Sequence, residues 1–537
     1  MSRTLLGPAA QSSRYICANC SNRIRTATVA QRTFTSNRAL RQQRQTQKSI
    51  LALLEERGYI NQLAGDRHAL DTLLQTRKTG FYAGVDPTAP SLHLGHLLPF
   101  MVLFWLYHHG HHVVSLVGGG TARVGDPSGR LVSRAEVALS VHSDNLASMR
   151  TQLDKLWGNV ERYGRRHGFD AEGAGGGKEV LDNGTWLDKL NILEFLRIVG
   201  NGVRMGTMLG RDTVRNKMEK GDGMSFAEFT YPLLQGWDWW HMFRERKIQV
   251  QVGGGDQFGN IVAGMDAVKY IVQHSASEED KAKWLDGEGR LREESTPMGL
   301  TVPLLTTASG EKFGKSAGNA LWLDETMTSA FDLYGFLLRS SDGDVARYLK
   351  LFTFVSTEEI AAVMVTHASD PGKRHAQHLL ASEVLELVHG PEQAAKTRAE
   401  HQALRNPSLA SLISKTNEPG STTEARTLLP SSLITGTSLS RILYHAGIVK
   451  SKSEGARSVA KGGVYIALQN ASEDGELKFA SVKDLPQSAT ALDYVVDGLL
   501  VFRIGKWKVR VIEVVDDADF EKQGLDAPGW QEWKSNQ

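Results

Sequence analysis

The chain has 537 residues, 41% of them hydrophobic and 23% charged, with a formal net charge of +2. That composition is ordinary for a soluble globular protein, and the length is too great for a single core, so two to four domains are expected. The longest apolar run, near Phe100 to Leu106, is too short to cross a bilayer, which excludes a membrane-spanning role and points to a buried helix.

The charge is unevenly placed. Residues 1–54 hold nine Lys and Arg and no Asp or Glu, leaving 53 basic against 60 acidic side chains in the rest. An acid-free, Arg- and Ser/Thr-rich start is the composition of a mitochondrial transit peptide, expected over residues 1–40 with cleavage between about Phe34 and Gln45. This places the mature protein in the mitochondrial matrix; the alternative is a basic arm that binds nucleic acid. Both cysteines, Cys17 and Cys20, lie in this leader, so the mature chain would carry no thiolate metal site and catalysis would rest on other groups.

Residues 41–79 read as an N-terminal helical extension, with one amphipathic helix from Ser49 to Gly65. Gly80 to Asp86 is an apolar strand stopped by Asp86-Pro87. Leu97 to Tyr107 is helical, with Pro99 tolerated in its first turn. Val113 to Val117 is a second buried strand, running into Gly118-Gly119-Gly120-Thr121. Gly164 to Gly177 has the composition of a surface insertion. Ile248 to Val252 alternates as a third strand and runs into Gly253-Gly254-Gly255-Asp256-Gln257, and His274 to Ser295 is a second polar excursion. Strands alternating with helices imply a parallel sheet with ligands at the carboxyl ends of its strands. From Asp324 to about Arg405 the pattern turns helical, residues 406–437 have linker composition, residues 438–515 form a compact mixed, locally basic unit, and 516–537 are a tail.

Two short motifs carry chemistry. His93-Leu94-Gly95-His96 opens a helix, whose N-terminal N–H groups and dipole suit a polyphosphate. Gly95 would let a planar base pack on the backbone, and two imidazoles three residues apart share a helix face. Lys312-Phe313-Gly314-Lys315-Ser316 is a basic, glycine-centred turn whose ammonium groups could close over a leaving pyrophosphate. Either motif alone is weak, since cap histidines and solvated basic turns are common; together, in this order and about 220 residues apart in an α/β pattern, they are informative.

These motifs resemble the two ATP motifs of class I aminoacyl-tRNA synthetases. With Tyr82-Ala83-Gly84-Val85-Asp86-Pro87-Thr88, Gly125-Asp126-Pro127-Ser128-Gly129-Arg130, Tyr231-Pro232-Leu233-Leu234-Gln235-Gly236-Trp237-Asp238 and Gly253 to Gln257, the chain resembles bacterial-type tyrosyl-tRNA synthetases from about Ile50 to Val515. The resemblance implies an α/β protein: a Rossmann-like catalytic domain over 80–323, an α-helical anticodon-binding domain over 324–405, the linker, and a small α+β S4-like RNA-binding domain over 438–515. It implies roles residue by residue. Tyr82 and Asp238 match the pair that hydrogen-bonds the substrate phenol. Asp126, Tyr231 and Gln235 match the cluster around the substrate ammonium. Thr88, His93 and His96 match groups on ATP, Gly84, Asp86 and Gly95 lie beside the nucleotide, and Asp256 and Gln257 match contacts to the ribose and substrate carboxyl. Arg130, Arg134, Lys312 and Lys315 match the basic groups that close on pyrophosphate. Ala83 and Pro99 depart from many relatives and remove possible weak nucleotide contacts.

In the C-terminal unit, Arg441, Lys450, Lys452, Arg457 and Lys461 could line one face and grip phosphates; the bland alternative is a solvated basic surface. The implied reaction is attack of tyrosine carboxylate on the ATP α-phosphate, then transfer of the tyrosyl group to tRNA(Tyr). ATP is a substrate accompanied by Mg2+, with no protein-bound metal site expected, and the implied assembly is a homodimer. A tryptophan-specific relative is disfavoured by Tyr82 with Asp238, and a nucleotidyltransferase by length and the RNA module. The N-terminal extension and insertions leave room for a second role on group I intron RNA.

Overall fold

The structure is a computed structural model and describes residues 48–133, 138–169, 176–306, 315–316, 319–405, 427–468, 477–486, 488–505 and 508–535. The leader with its two cysteines, Arg134, Lys312 and residues 406–426 lie outside the described residues.

Gln62–Ala64 (β1), Gly80–Val85 (β2), His112–Val117 (β3), Lys178–Asp182 (β4), Ile248–Gly254 (β5) and Met298–Val302 (β6) form one sheet in the order β1-β6-β5-β2-β3-β4. All neighbours run parallel except β1, which pairs antiparallel with β6. The runs His112-Val-Val-Ser-Leu-Val and Ile248-Gln-Val-Gln-Val are almost wholly buried, as parallel strands covered on both faces must be. The order reverses between β2 and β5, and a crevice at the carboxyl ends of the strands is expected at such a switch point.

The helix after β2 spans Leu94–His108, with Phe100 to Leu106 entirely buried. It starts three residues before the expected Leu97, so Pro99 falls beyond the first turn and the Gly95 carbonyl loses a helical donor. The long helix Phe226–Arg246 starts at a capping box, Ser225 with Glu228.

Several expected boundaries move. The Ser49–Gly65 helix is shorter, Ile50–Arg57: Gly58 ends it in the left-handed region at φ 83°, and the chain then supplies β1, so the 41–79 extension is part of the sheet. The supposed insertion at 164–177 begins inside the helix Leu139–Arg166, and Phe169 stacks on His108 at 4.9 Å. The excursion at 274–295 contains the helix Glu278–Trp284, and Trp284 packs on Trp240 and Phe243.

The sheet belongs to one compact unit; residues 91–94, 154–167 and the described chain from 315 onward belong to a second. The second holds a ribbon of Lys315–Ser316 (β7) with Asn319–Ala320 (β8), then the helices Ala330–Leu338, Asp342–Phe352, Thr357–Ser369, His375–His389 and Pro391–Arg405. Its C-terminal part is a five-stranded sheet of Thr427–Pro430 (β9), Val464–Ala467 (β10), Phe479–Ser481 (β11), Leu499–Ile504 (β12) and Lys508–Val515 (β13), in the order β11-β10-β12-β13-β9. Residues 427–436, expected as linker, are thus a strand paired with β13 and a helix, Ser431–Gly436. The expected tail carries the helices Asp517–Lys522 and Trp530–Ser535, whose Phe520 and Trp530 are buried in this module's core. Each such aromatic contributes about 1.5–3 kcal/mol by burial, which is why these segments fold with the module.

Candidate active site

Four strand ends converge in the first unit. Asp86, just after β2, accepts hydrogen bonds from Thr121 Oγ1 at 2.8 Å and Tyr231 Oη at 2.9 Å. Gly118, after β3, is required here, because a Cβ would overlap Asp86 Oδ1 and Thr121 Oγ1. Asn183, after β4, accepts from the Gly120 N–H at 2.7 Å and donates to Thr121 Oγ1 at 2.9 Å and to Asp238 Oδ2 at 2.8 Å. Gly255–Gln257, after β5, form a tight helical turn.

Tyr231, Gln235 and Asp238 stand at i, i+4 and i+7 of the helix Phe226–Arg246, and that spacing puts them on one face. Asp238 is only 2% exposed, and Trp186 Nε1 donates to its other oxygen at 2.7 Å. Burial pushes its carboxyl up to about 7, against the Asn183 and Trp186 hydrogen bonds that favour the charged form. Tyr82 packs edge-on against Trp239, and its buried hydroxyl has no hydrogen-bond partner. Burial and the neighbouring Asp238 charge push the Tyr82 phenol well above its ordinary range. Such a pair can receive one external hydroxyl, which would donate to the carboxylate and accept from Tyr82.

A second cluster surrounds Asp126. Its oxygens accept from Gln257 Nε2 at 2.8 Å, the Ser128 N–H at 3.0 Å and Asn260 Nδ2 at 3.4 Å. Asn260 Nδ2 also faces Ser128 Oγ, Gln235 Oε1 and Gln257 Oε1 within 3.3 Å. An amide nitrogen has two hydrogens, so acceptors outnumber these donors, the arrangement that suits an external ammonium. Gln257 therefore sits with Asp126 and Gln235, whereas Tyr231 bonds Asp86 rather than Asp126. Burial first, then the Asp86 charge, holds the Tyr231 phenol protonated.

The nucleotide candidates are more open. Thr88, Arg130 and Asp256 are exposed, and at Gly84 only the Leu116 carbonyl comes within 4 Å of where a Cβ would stand. Gly95 and His96 lie in the first turn of the helix Leu94–His108 and are half-buried. In the second unit, the Leu94 N–H donates to the Leu321 carbonyl at 2.9 Å and the Leu323 N–H to the Leu92 carbonyl at 2.8 Å, while His93 bridges Trp322. Residues 321–323, which follow the Lys315 ribbon, are thereby paired with Leu92–Leu94, and the Leu94 N–H is already engaged. Lys312, Arg134 and the Lys315 side chain lie outside what is described.

Sequence reasoning missed Asn183, Trp186, Thr121 and Asn260. For Asn183 and Trp186 the local trace was an Asp182-Asn183-Gly184 turn signal at the end of a short strand, beside a segment read as an insertion, and Thr121 closed the glycine run after β3 without being given a role.

In the C-terminal module, Arg441 lies on the helix Leu439–His445, Lys452 and Arg457 on the helix Lys452–Ala460, and Lys450 and Lys461 at its ends. All five are exposed. Lys452 is engaged internally, pairing with Glu532 at 3.1 Å and lying over Tyr444. Among the described residues no group of three or more His, Cys, Asp or Glu is arranged to hold a metal ion, and no helix is long and apolar enough to cross a membrane.

Residues 74–405 match the family of tRNA synthetases class I (W and Y), and residues 417–532 match a tyrosyl-tRNA synthetase C-terminal domain. The mitochondrial tyrosine–tRNA ligase of Podospora anserina is 46% identical over 500 residues, spanning 88% of this chain and 76% of that one. That of Saccharomyces cerevisiae is 34% identical over 87% of this chain and 89% of its own. A C-terminally truncated mitochondrial tyrosyl-tRNA synthetase of Aspergillus nidulans superposes with a TM-score of 0.62 at 48% identity, covering 67% of this chain and 94% of that structure.

Proposed function

The chain belongs to the class I tRNA synthetases for tryptophan and tyrosine and has tyrosine–tRNA ligase activity in mitochondria, and from that premise we propose how its residues divide the work. Tyr82 and Asp238 read the tyrosine hydroxyl; the observation that carries this is the partnerless Tyr82 hydroxyl beside a carboxylate already held by Asn183 and Trp186. Phenylalanine would leave the Tyr82 hydroxyl buried and unpaired, at about 1–3 kcal/mol, and would bring Asp238 no donor beyond Asn183 and Trp186. The surplus acceptors around Asp126, Gln235 and Gln257 hold the substrate ammonium. Tyr231 acts one step back, through Asp86.

ATP lies along Gly84, Thr88, Gly95, His96 and Asp256, with magnesium entering as its counter-ion. Arg130, Arg134, His93, Lys312 and Lys315 gather the negative charge as the tyrosine carboxylate attacks the α-phosphate and pyrophosphate leaves. No side-chain nucleophile is needed: positioning and charge stabilisation supply the rate. The tyrosyl group then passes to the terminal ribose of tRNA(Tyr), whose phosphates the exposed basic side chains of the C-terminal module grip. Import by the leader places this reaction in the matrix. A run of exposed apolar side chains from Ile192 to Phe226, with Leu193 73% and Phe226 77% exposed, supports a homodimer through that surface.

The decisive experiment is amino-acid-dependent ATP–pyrophosphate exchange with tyrosine, tryptophan and phenylalanine, on the unaltered protein and on Asp238→Ala. Tyrosine-selective exchange that Asp238→Ala loses supports this division of roles. Unchanged rejection of phenylalanine in the variant would remove Asp238 from its role.

A further inference from the structure

One buried charge has no part in the chemistry described so far. Lys217, on the helix Asp212–Lys220, is wholly buried, a position an ammonium tolerates only when paired and hydrogen-bonded. Its Nζ donates to the Glu228 carboxylate and, at 2.9 Å, to Ser133 Oγ, with Asp222 Oδ1 3.8 Å away. The Ser133 hydroxyl donates to Glu228 Oε2 at 3.2 Å, and the Ser133 N–H donates to Asp222 Oδ2 at 2.8 Å. The Asp222 N–H closes the circuit on the Leu131 carbonyl at 3.1 Å. Gly221 lies so close to that carbonyl that a Cβ would overlap it.

The two ends of this network matter. One end is the backbone of residues 131–133, immediately after Gly129 and Arg130. The other is Glu228, in the first turn of the helix that carries Tyr231, Gln235 and Asp238, where it also accepts from the Ser225 N–H at 3.1 Å. Replacing Lys217 and Glu228 together by apolar side chains of similar volume would cost little stability, because desolvating two charges costs about as much as their attraction returns, whereas removing one alone strands the other. What the ammonium adds is direction: it bonds the loop hydroxyl and the helix carboxylate at once. We propose that Lys217 is a positioning residue for tyrosine activation, fixing the segment behind Arg130 relative to the tyrosine-binding helix so that pyrophosphate and amino acid are held in register.

This inference rests on the reading of Arg130 as a pyrophosphate group, and the test separates the two. In the full-length enzyme, Lys217→Met, Lys217→Arg, Ser133→Ala and Arg130→Ala are compared by tyrosine-dependent ATP–pyrophosphate exchange and by equilibrium binding of tyrosine alone. Lys217→Met is expected to raise the KM for pyrophosphate and slow exchange by about tenfold to a hundredfold, the scale set by misplacing a positioning group. Tyrosine affinity should move less than about threefold, since the pocket's own donors are untouched, and Lys217→Arg should recover most of the loss. Ser133→Ala, which leaves the Lys217–Glu228 pair in place and so avoids an uncompensated charge, should show the same split more weakly. An Arg130→Ala effect on pyrophosphate without any effect in Lys217→Met and Ser133→Ala would overturn the positioning role alone. No effect in Arg130→Ala would overturn both readings. A parallel loss of tyrosine affinity and pyrophosphate KM in Lys217→Met and Ser133→Ala would reduce Lys217 to a core residue and overturn the proposal.

Discussion

At the carboxyl ends of β2 to β5, polar side chains are buried and, the Tyr82 hydroxyl apart, oriented by neighbours: Asn183 and Trp186 hold Asp238, and Asp86 holds Tyr231. On the C-terminal module, Arg441, Lys450, Arg457 and Lys461 stand in solvent on two short helices and their ends. The contrast separates two ways of recognising a ligand. Buried groups discriminate by what is lost when a partner is missing, so one atom can decide between tyrosine and phenylalanine. Exposed charges contribute little each, add up, and fade with salt.

The largest effect should come from breaking the buried side. Asp238→Ala should lower kcat/KM for tyrosine by about a hundredfold or more, since it removes a charged hydrogen-bond acceptor worth about 1.5–3 kcal/mol and opens a cavity beside Tyr82. Exchange with tyrosine against phenylalanine checks it; a tenfold loss with selectivity intact would place discrimination elsewhere. Tyr82→Phe, which removes only the partnerless hydroxyl, should cost about fivefold to tenfold, matching a net hydrogen bond of about 1 kcal/mol.

A pH series sharpens the same side. Burial pushes Asp238 up to about 7, and the ionised carboxylate is the stronger acceptor for the substrate hydroxyl. kcat/KM for tyrosine should therefore fall as pH drops through about 7, levelling off where the neutral carboxyl accepts the weaker bond. Stability without tyrosine should run the other way. The folded state keeps the Asp238 proton to a higher pH than the unfolded chain, so this group's contribution to stability falls as pH rises from the ordinary carboxylate value to about 7. Asn183→Ala removes a donor that favours the charged form, so the kinetic limb should move to higher pH, and a limb that stays in place would take Asn183 out of the pocket's electrostatics.

The same contrast explains how much of the molecule is legible from sequence. Tyr231, Gln235 and Asp238 fall on one helical face and β2, β3 and β5 are apolar runs ended by glycine or Asp-Pro, so local periodicity suffices to place them. Their roles come from family resemblance. Asn183 and Trp186 escape because their hydrogen bonds reach 55 and 52 residues along the chain, and no local pattern encodes such a pairing. Composition misleads in the C-terminal part for a related reason. Ser, Thr and Pro around residues 427–436 have the look of a linker, yet Leu429, Leu433 and Ile434 are buried because β9 pairs with β13, 85 residues further on at Ile512↔Thr427. Lys217 shows the converse: a lysine in a charged helix reads as surface, and only the fold reveals that it is buried.

The smallest expected effects lie on the exposed side, and they decide whether the basic face is a binding surface or a solvated one. Arg457→Ala and Lys461→Ala should each weaken tRNA binding only about threefold to fivefold, with near-additive combination because neither leaves a buried partner exposed. Removing one phosphate-binding cation should reduce the slope of log affinity against log salt by about one. Lys452→Ala serves as an internal control: its ammonium already pairs with Glu532 and lies over Tyr444, so its effect should be smaller than that of Arg457→Ala. Filter binding of tRNA(Tyr) at several salt concentrations, alongside tyrosine activation measured without tRNA, separates the two halves of the molecule. Activation should be untouched by all three substitutions. If the salt slope is equally unmoved, these side chains are a solvated surface and tRNA is gripped elsewhere.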